Sequence, residues 1–170
     1  MPAVDQAVFR SGSAGHDSLE RRRRSQEQSE ALKEAAAECS TLIESNSPVE
    51  LVKYLDSLAS EIKVNQIINE EGQTLLHMCA FANKATVFTA VMARAKSEMF
   101  QYDIADWVNR KTAKDEFTAL HYASFKGNLH ILKGLMENGA DMYAVNLYGL
   151  NVLHLAAQGD QPLSLYYFKS

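Results

Sequence analysis

The sequence predicts an all-α protein made of stacked helix pairs, preceded by a disordered N-terminal tail. Three segments share one signature, in which a polar residue is followed three positions later by histidine: Thr74-Leu75-Leu76-His77, Thr118-Ala119-Leu120-His121 and Asn151-Val152-Leu153-His154. The three histidines are 44 and 33 positions apart. Repetition at a period of roughly 20–50 residues is typical of stacked-repeat architectures. Two apolar stripes at helical spacing precede the first signature and favour further helices there.

Composition excludes several functional classes. The 170 residues suffice for one domain, and the net charge of −4 argues against nucleic-acid binding through bulk positive charge. Two cysteines exclude a disulfide-dense scaffold and favour a reducing compartment. No apolar run reaches the roughly 18–20 residues that span a bilayer, and residues 1–15 lack the apolar core of a secretory signal. We therefore predict a cytoplasmic protein, or the soluble part of a larger one.

Residues 1–19 carry Gly, Ser and isolated charges without a sustained period, which predicts a disordered tail. The run Arg21-Arg22-Arg23-Arg24 follows it. Such a run is most often a solvated stretch of charge, and the alternatives are a nuclear import signal or a contact with an acidic partner. Together with Ser25 the run also has the form of a basophilic kinase site, where a phosphate would cancel about two positive charges.

Residues 20–64 are predicted to form a helical capping unit. The stripe of the first helix consists of Leu32, Ala36, Cys39 and Ile43. The stripe of the second helix consists of Leu51, Leu55, Leu58, Ala59 and Ile62. At the start of the second helix Ser47 can act as N-cap, Pro48 suits the first helical position and Glu50 completes a capping box. A stack needs such a unit because an end repeat without a neighbour would expose its apolar face.

Residues 65–170 hold about three repeats, of which the last is truncated. A turn of the form Asn-x-x-Gly precedes the first and third signatures, as Asn69–Gly72 and Asn146–Gly149. The Asn side chain closes such a turn on its own backbone, and Gly supplies a positive φ. The middle repeat has Ala113 and Glu116 at these places, so we expect a distorted tip. The inner face of the second helices is predicted to comprise Phe88, Val91, Met92, Leu132, Leu135, Met136, Leu165 and Phe168.

The interval between the first two signatures is eleven residues longer than the second interval, and the excess lies within Lys96–Glu116. It either extends the second helix of repeat one or forms a short extra helical turn. Its aromatic residues Phe100, Tyr102 and Trp107 either fill the space between repeats or form an exposed contact. Filling is favoured, because Trp is seldom left fully exposed in a monomer.

The chain stops at Ser170, soon after the second helix of the third repeat begins. Leu165 and Phe168 would then have no neighbouring repeat. We expect either that the chain is a fragment, or that its uncapped end associates with a partner or with a second copy.

The sequence contains no catalytic, cofactor-binding or metal-binding constellation. The signature histidines are one repeat apart, too far to share an ion at about 2 Å per ligand, so we predict hydrogen bonds to the neighbouring turn instead. Cys39 and Cys79 occupy core positions and are predicted to be inert. The carboxylates of the insertion, Asp103, Asp106, Asp115 and Glu116, are interpreted as solvated. We predict a protein that is not an enzyme and needs no cofactor.

The signatures, tips and core spacings resemble the ankyrin repeat over about residues 65–170. This resemblance implies an ankyrin repeat solenoid and a non-catalytic module that binds a partner protein through a concave surface of turn tips and first helices. The positions that vary in such surfaces give the predicted partner-binding residues: Glu70, Glu71, Gln73, Phe81, Lys114, Asp115, Phe117, Phe125, Lys126, Leu147, Tyr148, Leu150 and Gln158.

Four of these residues are aromatic and are predicted to form an exposed row. Phe81 and Phe125 are equivalent positions in two repeats, and Phe117 and Tyr148 lie nearby. Exposed aromatic residues are typical of interface hot spots. For Phe117 the alternative is that it packs into the distorted middle repeat.

A narrower resemblance covers residues 151–168. It is similar to a segment in the ankyrin region of protist palmitoyltransferases of the ankyrin–DHHC type. This implies an alternative function, as the cytosolic substrate-recruiting N-terminal part of a membrane palmitoyltransferase whose zinc-bound Asp-His-His-Cys domain is absent from this chain.

Overall fold

A computed structural model describes residues 13–58 and 62–169 and confirms the all-α fold class for them. The described helices are α1 Ser13–Glu44, α2 Pro48–Ser57, α3 Leu75–Phe81, α4 Ala85–Glu98, α5 Gln101–Val108, α6 Ala119–Lys126, α7 Leu129–Glu137, α8 Val152–Gln158 and α9 Pro162–Lys169, with a single 3-10 turn at Val64–Gln66. None of these helices combines the length and apolar character that a bilayer crossing requires. Contacts within the chain define two units, whose described parts are residues 13–31 and residues 32–58 with 62–169.

The described part of the first unit is the N-terminal portion of α1. Residues 13–19 belong to α1 although they fall within the predicted tail, while residues 1–12 lie outside the described residues, so the tail stays a prediction there. Ion pairs one helical turn apart, Arg21 to Asp17 and Arg23 to Glu27, each 3.0 Å long, support this portion. Extension of an existing helix also adds one hydrogen bond per residue without a new nucleation cost.

The second unit begins with the remainder of α1 and with α2. The predicted stripes are confirmed where they are helical: Ala36, Cys39, Ile43, Leu51 and Leu55 are buried, and Leu32 is partly buried. Pro48 is the first residue of α2, as predicted, but Ser47 makes no capping hydrogen bond to the helix. The predicted capping box with Glu50 is therefore wrong. Ser47 has φ −107° and ψ 76°, outside the extended geometry that an N-cap needs, and its hydroxyl accepts a hydrogen bond from that of Ser45 at 3.1 Å instead.

The second helix of this unit also ends earlier than its apolar stripe suggested. Leu58 has extended backbone geometry and ends α2. Leu58 and Ile62 are nevertheless partly buried against the core, so they continue the apolar face outside the helix. Ala59 lies outside the described residues.

Three helix pairs follow, formed by α3 with α4, α6 with α7, and α8 with α9. The first helices stack in the order α3, α6, α8, and among the second helices α4 packs on α2 and on α7. The predicted inner face of the second helices is confirmed in the first two pairs, where Phe88, Val91, Met92, Leu132 and Leu135 are buried and Met136 is partly buried. In α9 both Leu165 and Phe168 are half-buried.

The insertion uses both predicted arrangements, because α4 continues to Glu98 and α5 is an additional helix. Trp107 is 3% exposed and fills the space beside the core, as predicted. The same prediction is wrong for Phe100 and Tyr102, which are 71% and 67% exposed. The buried face of α5 is formed by Ile104, Trp107 and Val108, and the other two rings fall outside that face. They stack on each other, with ring centroids 5.8 Å apart.

Candidate functional site

The first helix of every repeat begins with the same local hydrogen bond, which orients the signature histidine. The backbone N–H of Thr74 donates to His77 Nδ1 at 3.1 Å, and that of Thr118 donates to His121 Nδ1 at 3.0 Å. In the third repeat the N–H of Asn151 donates to His154 Nδ1 at 3.2 Å. Because Nδ1 accepts a hydrogen bond, the ring proton of each neutral histidine resides on Nε2.

The two inner histidines bridge to the following repeat, as the sequence predicted. His77 Nε2 donates to the carbonyl oxygen of Phe117 at 3.0 Å, and His121 Nε2 donates to that of Leu150 at 3.2 Å. Burial lowers the pKa of His77 to about 4, and burial likewise lowers the pKa of His121. Both rings are thus neutral near pH 7 and have both nitrogens hydrogen-bonded. Among the described residues, no group of three or more His, Cys, Asp or Glu side chains is placed to hold a metal ion.

The tips of the first and third repeats have the predicted turn. Asn69 Oδ1 accepts from the backbone N–H groups of Glu71 and Gln73, at 3.1 and 2.9 Å. Asn146 Oδ1 accepts from those of Tyr148 and Leu150, at 3.0 and 2.9 Å. The glycine that ends each of these turns has a positive φ, 75° in the first tip and 72° in the third.

The tip of the middle repeat differs, as expected, but the neighbouring Thr112 supplies the side-chain acceptor that Asn provides in the other two tips. Thr112, one position before Ala113, accepts the backbone N–H of Phe117 on its hydroxyl at 3.0 Å. Glu116 takes the positive φ, 55°, that glycine has in the other tips. Backbone hydrogen bonds of 3.2 Å from Ala113 N to Glu71 O, and of 3.1 Å from Leu147 N to Asp115 O, join the three tips.

Beside these tips the first helices form a groove of about 480 Å³, which we call the aromatic groove. Its lining residues are Phe81, Phe117, His121, Tyr122, Phe125, Lys126, Leu155 and Gln158. Tyr122 meets Phe81 edge to face at a centroid distance of 5.7 Å and stacks on Phe117 at 5.3 Å. The ammonium group of Lys126 lies 5.1 Å from the ring centroid of Phe81 and 6.0 Å from that of Phe125, within the range of a cation–π interaction.

A second recess of about 290 Å³, which we call the tip pocket, lies between the first two tips. Its lining residues are Glu70, Glu71, Gln73, Thr112, Ala113, Lys114, Asp115 and Tyr122. Three carboxylates and one ammonium group make this pocket acidic. Tyr122 lines both recesses, so they adjoin at this residue.

The structure brings ten of the thirteen predicted residues into these two recesses. The aromatic groove contains Phe81, Phe117, Phe125, Lys126 and Gln158. The tip pocket contains Glu70, Glu71, Gln73, Lys114 and Asp115. The other three, Leu147, Tyr148 and Leu150, lie at the third tip and line neither recess. Of these, Tyr148 reaches the second tip, because its hydroxyl donates to Asp115 Oδ1 at 2.8 Å.

The predicted aromatic row is exposed at three of its four positions. Phe81, Phe125 and Tyr148 are exposed, whereas Phe117 is half-buried. Phe117 packs between Tyr122 and His121, whose ring it meets edge to face at 5.7 Å. The alternative given for Phe117, packing within the middle repeat, therefore agrees with these contacts. Phe117 also lines the groove.

Sequence reasoning missed Tyr122, which lies between the two recesses. Burial raises its pKa, and a hydrogen bond with Gln73 partly offsets that rise. The available signal was its position directly after the signature histidine, where the other repeats have the aliphatic residues Met78 and Leu155. A ring in place of a flexible aliphatic chain at that position indicates a site-specific role.

The two cysteines lie away from this surface and are buried, as predicted. Burial raises the pKa of Cys39 to about 12 and also raises that of Cys79. Both thiols therefore stay protonated near neutral pH, and a thiol is a much weaker nucleophile than a thiolate.

Comparisons with known proteins agree with this architecture. A family model described as ankyrin repeats (3 copies) matches residues 35–146 and, in an overlapping match, residues 87–166. The first match begins inside the segment predicted to be a capping unit, so the boundary between that unit and the repeats stays a prediction.

Three similar proteins are ankyrin repeat-containing by name, and a solved structure shares the fold. The Notch-regulated ankyrin repeat-containing proteins of Xenopus tropicalis, Homo sapiens and Mus musculus are each 29% identical over 101 residues, which is 56% of this chain and 89% of the relative. A chain in the crystal structure of the yeast ribosomal protein Rps3 in complex with its chaperone Yar1 is similar with a TM-score of 0.73 and 24% identity, covering 81% of this chain and 92% of that chain. At this identity the structural likeness bears on the fold alone.

Proposed function

The chain belongs to the ankyrin repeat family and is a protein-interaction module, and we propose that it holds its partner protein in the aromatic groove and the tip pocket. The observation that carries this proposal is the exposure of rings in the groove. Phe81 is 55% exposed and Phe125 is 40% exposed. Burial of such rings under a partner would remove apolar area from water, which is how interface hot spots supply most of the binding free energy.

Rigid support for the exposed rings also favours binding. The first helices that carry them are fixed to one another by the bridges from His77 and His121 to the following repeats. A preorganised surface loses little conformational entropy when a partner binds. The side chains of the groove therefore suit recognition without a large rearrangement of the backbone.

We infer that the module acts by binding rather than by catalysis. Ankyrin repeat proteins are generally non-catalytic, and the histidine in the groove, His121, has both ring nitrogens engaged. The narrower resemblance to palmitoyltransferases gains no support from the comparisons, which match ankyrin repeats. The cytoplasmic location, nuclear import through the arginine run and self-association through the last repeat all stay predictions.

The test is a selection of a displayed peptide library against the wild-type protein. Selected peptides are then measured against a variant with Phe81→Glu and Phe125→Glu. We expect affinity to fall at least about tenfold, or about 1.4 kcal/mol, because two carboxylates replace the rings that contact the ligand. Circular dichroism would verify that this variant, and the control described next, stay folded.

The matched control carries Phe100→Glu and Tyr102→Glu, which alters another exposed aromatic pair of this chain outside both recesses. We expect this control to bind the selected peptides as the wild type does. Equal binding by the folded groove variant, or loss of binding in the control alone, would contradict the proposal.

A further inference from the structure

The charges around the two recesses point to the chemistry of the partner segment. This inference rests on the proposed function, since it concerns the same surface. The starting observation is that Tyr122 lines both the aromatic groove and the tip pocket. Its ring packs against Phe81 and Phe117, and its side chain hydrogen-bonds Gln73 of the tip pocket. A ligand side chain that rests on this ring is thus in contact with the apolar recess and beside the acidic one.

The tip pocket offers carboxylates that nothing in the described chain neutralises. Neither Glu70 nor Glu71 forms a salt bridge with a residue that the structure describes, and both are exposed. Asp115 is held in place by the hydroxyl of Tyr148 and stays a third negative charge. Lys114, on the same tip as Asp115, is the single positive charge of the lining. The pocket consequently attracts positive charge.

The opposite end of the surface has the reverse sign. Among the residues that the structure describes, Lys126 is the one charged residue lining the aromatic groove, and it is half-buried against Phe81 and Phe125. Its position over the two rings keeps the ammonium group at that end of the groove. A carboxylate is the complementary group there.

We propose that the occupant of this surface is a partner segment with a basic residue at the tip pocket, a large apolar residue on Tyr122 and Phe117, and an acidic residue at Lys126. The apolar residue supplies most of the affinity, because it is the one that fills a desolvated recess. The two charges fix the direction in which the segment lies and exclude segments of the opposite polarity.

The experiment compares peptide selections from one random displayed library on three proteins: the wild type, a variant with Glu70→Lys and Glu71→Lys, and a variant with Lys126→Glu. On the wild type we expect selected peptides to carry Lys or Arg on one side of a large apolar residue and Asp or Glu on the other. On the first variant the basic side should become acidic. On the second variant the acidic side should become basic.

A selected wild-type peptide and its charge-swapped version are then measured against all three proteins. We expect the wild-type peptide to lose about tenfold in affinity on the variant with Glu70→Lys and Glu71→Lys, and the swapped peptide to recover that loss. The loss should shrink between about 50 mM and 500 mM salt, because screening weakens exposed charge pairs. Glu50→Lys on the exposed surface of α2 is the matched control and should leave both affinities unchanged.

Failure of this inference is distinguishable from failure of the proposed function. Peptides that depend on Phe81 and Phe125 but show no charge bias, or a reversed bias, would overturn the inference and leave the function standing. Peptides that bind independently of Phe81 and Phe125 would overturn both.

Discussion

The first two repeats and the third repeat have the same signature but place its histidine in different surroundings. In all three, the histidine accepts a hydrogen bond from its own N-cap backbone, over distances of 3.0–3.2 Å. His77 and His121 are buried, whereas His154 is exposed. In the inner repeats the next tip supplies a carbonyl for Nε2, and no such bridge from His154 exists in the described residues.

The N-cap hydrogen bond of the histidine is therefore a local effect, whereas its bridge to the next repeat is a tertiary one. The cap is formed within four residues, so a short sequence is enough to specify it. The bridge and the burial depend on a following repeat that packs over the ring. The low pKa of His77 consequently reports the packing of two repeats and not the signature itself.

The largest expected effect comes from replacing a bridged histidine. His77→Leu would leave the N–H of Thr74 buried without its acceptor, at a cost of about 1–3 kcal/mol. The carbonyl of Phe117 would keep the N–H of Thr112, 2.8 Å away, and would lose only the bond from the ring, about 0.5–1.5 kcal/mol. We expect the free energy of unfolding to fall by about 3 kcal/mol or more. His154→Leu should lower it by about 1 kcal/mol or less, since the groups it frees can reach water. Urea unfolding measures both, and equal losses would show that the bridge contributes nothing.

A dependence of stability on pH is the next largest effect. The folded pKa of His77, about 4, lies below the ordinary value of 6.5, so the unfolded chain binds more protons between these values. The contribution is thus complete above pH 6.5 and is lost as the pH falls toward 4. It amounts to about 3 kcal/mol for His77, and His121 acts in the same direction. Urea midpoints at several pH values would measure it, and the slope should flatten in His77→Leu.

A smaller effect distinguishes the tips of the first and third repeats. Gly72 and Gly149 both have a positive φ, so alanine at either position costs about 1–2 kcal/mol of backbone strain. A Cβ at Gly72 would also lie 2.7 Å from the backbone nitrogen of Ala113, while one at Gly149 would meet nothing within 4 Å. We expect Gly72→Ala to lower the free energy of unfolding by about 1 kcal/mol more than Gly149→Ala. Equal losses would mean that the first tip can move away from the second.

The smallest effect concerns the irregular tip of the middle repeat. Glu116 has a φ of 55°, a conformation that costs a non-glycine residue about 1–2 kcal/mol. Glu116→Gly removes this strain but also removes the 2.8 Å ion pair with Lys111, which is solvent-exposed and contributes about 0.5 kcal/mol. We expect a net stabilisation of about 0.5 kcal/mol in thermal unfolding. Glu116→Gln, which loses only the ion pair, is the control and should be slightly destabilised.

Most of the fold was predictable from the sequence because its determinants are local. The Thr-to-His and Asn-to-His signatures specify where the first helices begin, and the apolar stripes specify which helix faces are buried. The capping box assigned to Ser47 was wrong because the backbone of Ser47 does not adopt the extended geometry of an N-cap, which the residue types do not reveal. The role of Thr112 as the side-chain acceptor of the middle tip was not predicted. Thr112 lies one position before the place that Asn has in the other tips, and the signature spacing does not reveal this offset.

Ten of the thirteen predicted partner-binding residues line the two recesses, but the arrangement of these recesses was not predictable from the sequence. Sequence positions identified Phe81 and Phe125 on the first helices and the carboxylates on the tips. They did not reveal that Tyr122 lines both recesses, because its position depends on contacts with Phe81 and Phe117 from neighbouring segments. Whether a partner binds there stays a prediction until the selections are made.

The sequence by itself determined the start of each first helix and the buried face of the second helices in the first two repeats. These properties arise from hydrogen bonds and side-chain periodicity within a few residues of the chain. Only the tertiary structure decided that Trp107 is buried while Phe100 and Tyr102 are exposed, and that His77 is neutral inside the stack. Burial and proton affinity depend on which atoms of another repeat lie against a side chain, and that is set by packing between segments distant in sequence.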